Sequence, residues 1–470
     1  MKKHINGYLF AALLLVLSAC KVSKDVQVPN QQLPTSYRSA TVTDTASIAR
    51  LPWKSFFTET TLQNLLDSAI TRNNDLQIAV KNIEAAELTY KQSKLGYLPA
   101  VGVNVTATTN RPSDNSLNGL SLNQFLGSKH IEDYTAAANI SWEADIWGKI
   151  RSRKAAALAS YLQTEEARKA IQTQIVASVS QGYYNLLMLD AQLAVARKNL
   201  RLNDSTLRIV RLQFNAGQVT SLAVQQTEAQ QLAAARLIPQ FEQDITIQEN
   251  ALSILAGKLP AAVIRSQTLD AVPVSPVLSA GLPSTLLSLR PDVRSAELDV
   301  ARTNAEVGVT KAQLYPSLTI TAQGGVNSFR ASNWFNIPAS LFGTVAGGLT
   351  QPLFQRGQLK TQYNLAKVER EKSIIQFRQQ VLVAVGEVSD ALVRLDKLNQ
   401  QQAIIANRAQ TLRQATGNAS LLFKNGMANY LEVITAQSNV LQSELELAAI
   451  KKAQLDATVD LYRSVGGGWR

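Results

Sequence analysis

Residues Pro99–Asn110 read PAVGVNVTATTN, and residues Tyr134–Trp147 read YTAAANISWEADIW. In the first stretch Val101, Val103 and Val105 alternate with Gly102, Asn104 and Thr106. In the second, Ala136, Ala138, Ile140 and Trp142 alternate with Thr135, Ala137, Asn139 and Ser141. A period of two predicts strands, because successive side chains of a pleated chain point to opposite faces. One row is apolar and the other small or polar. Strands of roughly ten residues with this pattern suit the wall of a transmembrane β-barrel, apolar toward lipid and polar toward a lumen. They suit a soluble sheet with one wet face as well, and the strands alone do not choose.

The pattern is used twice. Pro316–Asn327 reads PSLTITAQGGVN and Leu341–Phe354 reads LFGTVAGGLTQPLF. The predicted strands cover about 100–109, 134–143, 317–326 and 342–352. Each pair follows a helical stretch, NDLQIAVKNIEAAELTYKQSKLGYLP ending at Pro99 and PDVRSAELDVARTNAEVGVTKAQLYP ending at Pro316, offset by 217 residues. Leu76, Ile83, Tyr90 and Tyr97 recur every seven residues, as do Val293, Val300, Val307 and Leu314. Small residues follow three positions later at Ala79, Ala86 and Ser93, and at Ala296, Thr303 and Thr310. A seven-residue period makes a seam for a neighbouring helix, and small residues let it come close.

After the strands, corners at Gly148 and Gly357 open long helices, and a second pair of corners at Gly217 and Gly426 turns each helix back. Both pairs are 209 apart, so the second strand hairpin is eight residues shorter than the first, a change expected in a loop. Val179, Leu186, Leu193, Leu200, Leu207 and Phe214 hold the seven-residue spacing along the first long helix. From Lys149 to Phe214 that helix is about 100 Å long at 1.5 Å per residue. Such a rod belongs in a coiled-coil array.

The first residues, MKKHINGYLFAALLLVLSAC, have the charged start and short apolar run of a secretory signal. LSAC resembles a bacterial lipobox, which implies cleavage before Cys20 and lipid on its thiol; an Asp at the next position, which would hold a lipoprotein in the inner membrane, is replaced by Lys21. Cys20 is the only cysteine, so disulfides are excluded. The expected organisation is signal 1–19, lipidated extended tether 20–57, repeat one 58–256, linker 257–283 and repeat two 284–470.

The formal charge is +12, and +10 without Lys2 and Lys3. Basic residues are scattered at helical spacing without a stripe, so nucleic acid is not an expected partner. The only histidines are His4 and His130, and no His, Cys or acidic cluster has metal-ligand spacing. No enzyme, metal or cofactor is expected.

Four membrane-type strands leave two open edges, which hydrocarbon does not tolerate, and bacterial barrels use eight or more. The barrel must therefore come from several chains, with the Gly217 and Gly426 corners forming the far rim of a helical tube.

With tether, hairpins and corners together, the chain resembles the TolC/OprM-like outer-membrane factors, in the lipoprotein (NodT-like) branch that serves RND-type pumps. The segments carrying the resemblance are LPWKSFFTETTLQNLLDSAI, LRPDVRSAELDVARTNAEVGVTKAQLYPSLTITAQGG, FKNGMANYLEV and the terminal GGGW. The resemblance implies an α+β membrane protein: a homotrimer with a twelve-stranded barrel continued by a periplasmic helical coiled-coil barrel. It implies a passive exit duct for drugs or other small molecules, without cofactor, partnered by a periplasmic adaptor (membrane fusion protein) and an inner-membrane RND-type pump, and set in outer-membrane lipid. A duct of the same fold for metal ions or secreted protein is the alternative, and a non-pore periplasmic coiled-coil scaffold lipoprotein a weaker one. By position, the family's constriction carboxylates fall on Glu432 and on Thr435, where relatives often have Asp. The position of a polar latch at the first corner falls on Ala223, which is apolar, so any latch must use other contacts. Adaptor docking maps to Asn215, Ala216 and Gly217, and to Asn425, Gly426 and Met427.

Overall fold

The computed structural model describes residues 34–38, 47–274 and 279–470. The signal segment and the predicted lipidation site Cys20 lie outside the described residues. The main elements are α1 (Thr60–Arg72), α2 (Asn74–Leu95), β1 (Ala100–Asn110), α3 (Leu117–Leu126), β2 (Ile131–Ala144), α4 (Lys149–Asn215) and α5 (Ser221–Leu255). After them come α6 (Pro291–Ala312), β3 (Ser317–Ser328), β4 (Leu341–Thr350), α7 (Gln358–Lys424) and α8 (Tyr430–Ser464). The internal repeat is visible in the lengths. α4 and α7 are both 67 residues, and α5 and α8 are both 35.

The chain divides into two units. One contains Glu84–Leu162 and Leu298–Ile375, and so holds all four strands. They form one antiparallel sheet in the order β1-β2-β3-β4. β1 pairs with β2 from Ala100↔Ser141 to Asn110↔Ile131, β2 with β3 from Tyr134↔Ser328 to Ala144↔Leu318, and β3 with β4 from Ser317↔Thr350 to Val326↔Leu341. The two repeats thus meet at β2–β3. The outer edges of β1 and β4 have no strand beside them among the described residues. Below the sheet, Trp147 Nε1 donates to the Pro316 carbonyl at 2.7 Å and its ring stacks on Tyr315 with centroids 4.8 Å apart. Thr303 of the α6 seam meets Ser373 of α7, hydroxyl to hydroxyl, at 2.8 Å.

The second unit contains Asn30–Ile83, Gln163–Glu297 and Gln376–Arg470. Val179 and Leu186 of the α4 seam are fully buried in it and Leu193 and Leu207 nearly so, whereas Phe214, next to the corner, is exposed. At the other end of the unit Tyr462 of α8 is the hub. Phe56 stacks on it with centroids 4.0 Å apart, Phe57 meets it edge-on, and its hydroxyl donates to the Leu51 carbonyl at 2.7 Å. Burial pushes the Tyr462 hydroxyl up to about 12.

Residues 47–57, expected as the last part of an extended tether, are instead folded onto this unit. Trp53–Phe56 forms a helical turn, and Trp53 and Phe57 are buried. Three aromatics in five residues gain more from burial than the backbone loses by being fixed. The inter-repeat segment is docked as well: Arg265 pairs with Asp190 at 2.8 Å and with Glu249, and Leu269 and Val272 are buried.

Arg290, just before α6, is 4% exposed. Its guanidinium contacts Asp292 at 2.5 Å, Glu387 at 2.7 Å and the Ser464 carbonyl at 3.0 Å. A buried cation is tolerated only when it is fully paired in this way. Burial alone would raise the pKa of Asp292, but the Arg290 guanidinium outweighs it and holds the carboxyl below its usual value.

Candidate functional site

The register sorts every strand residue onto one of two faces. Val101, Val103 and Val105 share a face with Ala136, Ala138, Ile140 and Trp142 across β2, with Leu318, Ile320, Ala322 and Val326 on β3, and with Leu341, Val345 and Leu349 on β4. The opposite face carries Gly102, Asn104, Thr106, Thr135, Asn139, Ser141, Thr321, Gln323, Asn327 and Thr344. Both faces are largely open: on the apolar one Val103 is 78% and Val345 79% exposed, and on the other Thr106, Ser141, Thr321, Asn327 and Thr344 are exposed. An apolar sheet face laid open to this extent is not stable against water and needs a hydrocarbon neighbour.

Aromatics bracket the apolar band, a feature not read from the sequence. At the helix end Trp142 Nε1 donates to the Tyr97 carbonyl at 2.9 Å, beside the Trp147–Tyr315 stack. At the other end Tyr134 lies against Trp334, centroids 5.5 Å apart, with Phe335 packed next to it. Amphipathic rings at both ends of an apolar band mark the two water boundaries of a membrane barrel. The signal was present in the residues: Tyr97 and Tyr315 precede the first and third predicted strands, Tyr134 and Trp142 stand at the two ends of the second, and Trp334 lies in the second hairpin loop.

On the polar face charge is sparse. Asp133 accepts from Thr135 Oγ1 at 2.8 Å and Asn327 Nδ2 at 3.1 Å. Glu143, at the helix end, is neutralised by Lys149 at 2.9 Å.

The two Gly corners are geometrically the same. α4 closes with Gly217 N donating to Phe214 O and Gln218 N to Gln213 O, both at 2.9 Å. α7 closes with Gly426 N donating to Phe423 O at 3.1 Å and Met427 N to Leu422 O at 2.9 Å. Gly217 has φ +72° and Gly426 φ +73°, with open space where a side chain would stand. Only the backbone conformation, not crowding, calls for glycine there. Asn215, Ala216, Gly217, Asn425, Gly426 and Met427 are all exposed.

α8 starts from an Asn429 cap whose side chain accepts from Leu431 N at 2.9 Å and Glu432 N at 3.1 Å. Glu432 stands in the first turn, where a carboxylate suits the helix dipole. Glu432 and Thr435 are both exposed, whereas Val433, Ile434 and Gln437 turn inward. Ala223 is buried with Val210, Phe423 and Val433, in a cluster that binds the two corners together. The polar contact between corners lies three residues further on: Tyr430 Oη donates to Gln226 Oε1 at 2.7 Å. Arg211 and Glu228 add an ion pair at 3.1 Å between α4 and α5. The Tyr430–Gln226 contact joins residues 204 apart and has no local sequence signal.

No group of three or more His, Cys, Asp or Glu suited to a metal ion occurs among the described residues. No helix among them is long and apolar enough to cross a membrane.

The family model described as "Outer membrane efflux protein" matches residues 65–258 and 282–467. The cation efflux system protein CusC of Escherichia coli is 26% identical over 463 residues, covering 97% of each chain. The toluene efflux pump outer membrane protein TtgF of Pseudomonas putida is 28% identical over 491 residues, covering 100% of this chain and 98% of its own. The open state of the Neisseria gonorrhoeae MtrE outer membrane channel superposes with a TM-score of 0.85 at 24% identity, over 96% of this chain and 99% of that one.

Proposed function

The chain belongs to the outer membrane efflux protein family, and we propose that three copies of it form the exit duct of a tripartite efflux system. The observation that carries this is the two-faced sheet with both edges unpaired. A sheet edge cannot face lipid, so β4 of one copy pairs with β1 of the next, and three sheets of four strands close a barrel of twelve. The duct spans the outer membrane, with the apolar face toward lipid and the Asn, Thr and Gln face around the lumen. The Cys20 lipid is an additional anchor.

The duct is passive and works without catalysis or cofactor. A periplasmic adaptor docks on the corners at Asn215–Gly217 and Asn425–Met427, and an inner-membrane pump supplies energy and cargo. Exposure of all six corner residues supports that role. At the tip three copies of Glu432 face the axis and Thr435 follows them, so the closed end holds one acidic ring. Tyr430–Gln226 is the latch that replaces a polar residue at position 223. The cargo is a drug-like or other small molecule, with metal ions the second reading, since similar proteins serve toluene efflux and cation efflux alike.

Purified protein added to planar bilayers tests the duct. Heat-modifiable trimers that conduct are expected. Folded protein that never conducts would favour a scaffold role instead.

A further inference from the structure

The two repeats carry the same strands in the same register. Val101 pairs with Ile140 in the first and Leu318 with Leu349 in the second, and these residues differ by the 217 and 209 positions that separate the repeats. A contact at the foot of the sheet is duplicated with them. Trp142 Nε1 donates to the Tyr97 carbonyl at 2.9 Å, and its counterpart Gln351 Nε2 donates to the Leu314 carbonyl at 3.2 Å. β4 is thus the counterpart of β2, and β1 of β3. The seam between β2 and β3 inside one chain is a template for the seam that the free edge of β4 makes with the free edge of another β1.

The repeats differ in what is covered. At the end of the first repeat Gly148 and Ala159 are buried and Ala144 is half-buried. Their counterparts Gly357, Val368 and Leu353 are exposed, Leu353 to 93% and Val368 to 58%. At the start of the second repeat Ala312 is buried and Pro316 half-buried, whereas their counterparts Leu95 and Pro99 are exposed, Leu95 to 59%. Apolar side chains left open where their counterparts are packed mark a missing neighbour.

Strand length points the same way. β2 runs to Ala144, which pairs with Leu318, whereas β4 stops at Thr350, three residues short of Leu353, the counterpart of Ala144. Asn327 N donates to Ser340 O at 2.8 Å, so the even-numbered backbone groups of β4 point to β3 and the odd-numbered ones to the free edge. The N–H that Pro352 lacks belongs to the β3 side. The N–H and C=O of Leu353 belong to the free side, and its side chain shares the apolar face with Leu349.

We propose that β4 of one copy joins β1 of the next in the register of β2 on β3, with Thr350 opposite Asn104, Leu349 opposite Val105 and Leu353 opposite Val101, so that β4 lengthens to Leu353 on assembly. The partner is a second copy of this chain, and the head-to-tail contact closes only in a ring. This rests on the closed trimeric barrel and fixes its stagger. Leu349 and Leu353 then stand beside Val105 and Val101 on the lipid side, and Thr350 beside Asn104 on the lumen side.

The test pairs Thr350→Cys in turn with Asn104→Cys, Gly102→Cys and Thr106→Cys in the full chain, oxidised in membranes and run on denaturing gels, with the single variants as controls for Cys20. Residues directly opposite lie within disulfide reach, and those two positions off lie at its limit or beyond. The pair with Asn104→Cys should link the copies into a covalent trimer fastest. Equal or faster linkage through position 102 or 106 overturns the register. No linkage in any pair, while native mass still reports a trimer, overturns it too and leaves the trimer standing. A native monomer removes both. Leu353→Pro deletes an N–H that only the neighbour would accept, so it should lower the temperature at which the trimer separates by several degrees, and Leu353→Ile should retain it. Equal temperatures for these two variants overturn the lengthening of β4.

Discussion

Replacing Tyr430 by Phe removes one atom, the Oη that donates to Gln226 Oε1 at 2.7 Å, and leaves the ring in its place beside the Val210–Ala223–Phe423–Val433 cluster. The bond is solvent-exposed, so its net contribution lies at the low end for neutral pairs, about 0.5–1 kcal/mol. Three-fold opening of the tip breaks three of them at once, for a total of about 1.5–3 kcal/mol. The opening equilibrium should therefore shift roughly 10- to 150-fold toward the open state. The assay is the fraction of time spent in the high-conductance state in planar bilayers, compared with Gln226→Leu and with the double variant. If the bond is the latch, both single variants rise together and the double variant rises no further, because each removes the same interaction. Unchanged opening in Tyr430→Phe, or additive effects in the double variant, would refute the assignment. Trimer yield should stay constant throughout, since the apolar cluster under the corners is untouched.

Glu432→Ala should reduce cation preference and divalent-ion block in the same recordings, because close carboxylates favour and bind cations; unchanged selectivity would place Glu432 away from the axis. Arg290→Met should cost about 3–5 kcal/mol of unfolding free energy in denaturant titrations, as it leaves Asp292 and Glu387 without their buried partner. The Asp292 carboxyl is depressed in the folded state, so the stability it adds is present above its ordinary value of 3.8 and is lost as pH falls through the folded value. Asp292→Asn should therefore be less stable at neutral pH and lose less on acidification, as read from thermal melts. Gly217→Ala and Gly426→Ala should each cost about 1–2 kcal/mol from the positive φ alone, with similar values at the two corners.

What could be read from the residues follows the range of the interactions. Strand faces were legible because alternation is local: Val101, Val103 and Val105 need no partner to declare their side. The corners were legible because a positive φ between two long helices asks for glycine, and Gly217 and Gly426 each stand 69 residues beyond the glycine that opens the helix, Gly148 and Gly357. Three features were not legible for physical reasons. The turn at Trp53–Phe56 is held by Tyr462, some four hundred residues away, so its surroundings read as a tether. α3 mixes Leu and Phe with Asn, Gly and Ser, a loop-like composition that its Ser116 cap and Gly127 end override. The Tyr430–Gln226 contact exists only because both corners fold to the same place, and position 223, the expected place of a latch, belongs to the apolar cluster instead.

The central claim is that one chain supplies a third of a closed barrel. Native mass spectrometry of the protein released from detergent tests it most directly, since it counts chains in the folded assembly. Three chains per particle is the predicted result. A folded particle of one chain would leave the β1 and β4 edges bare in lipid and would contradict the account.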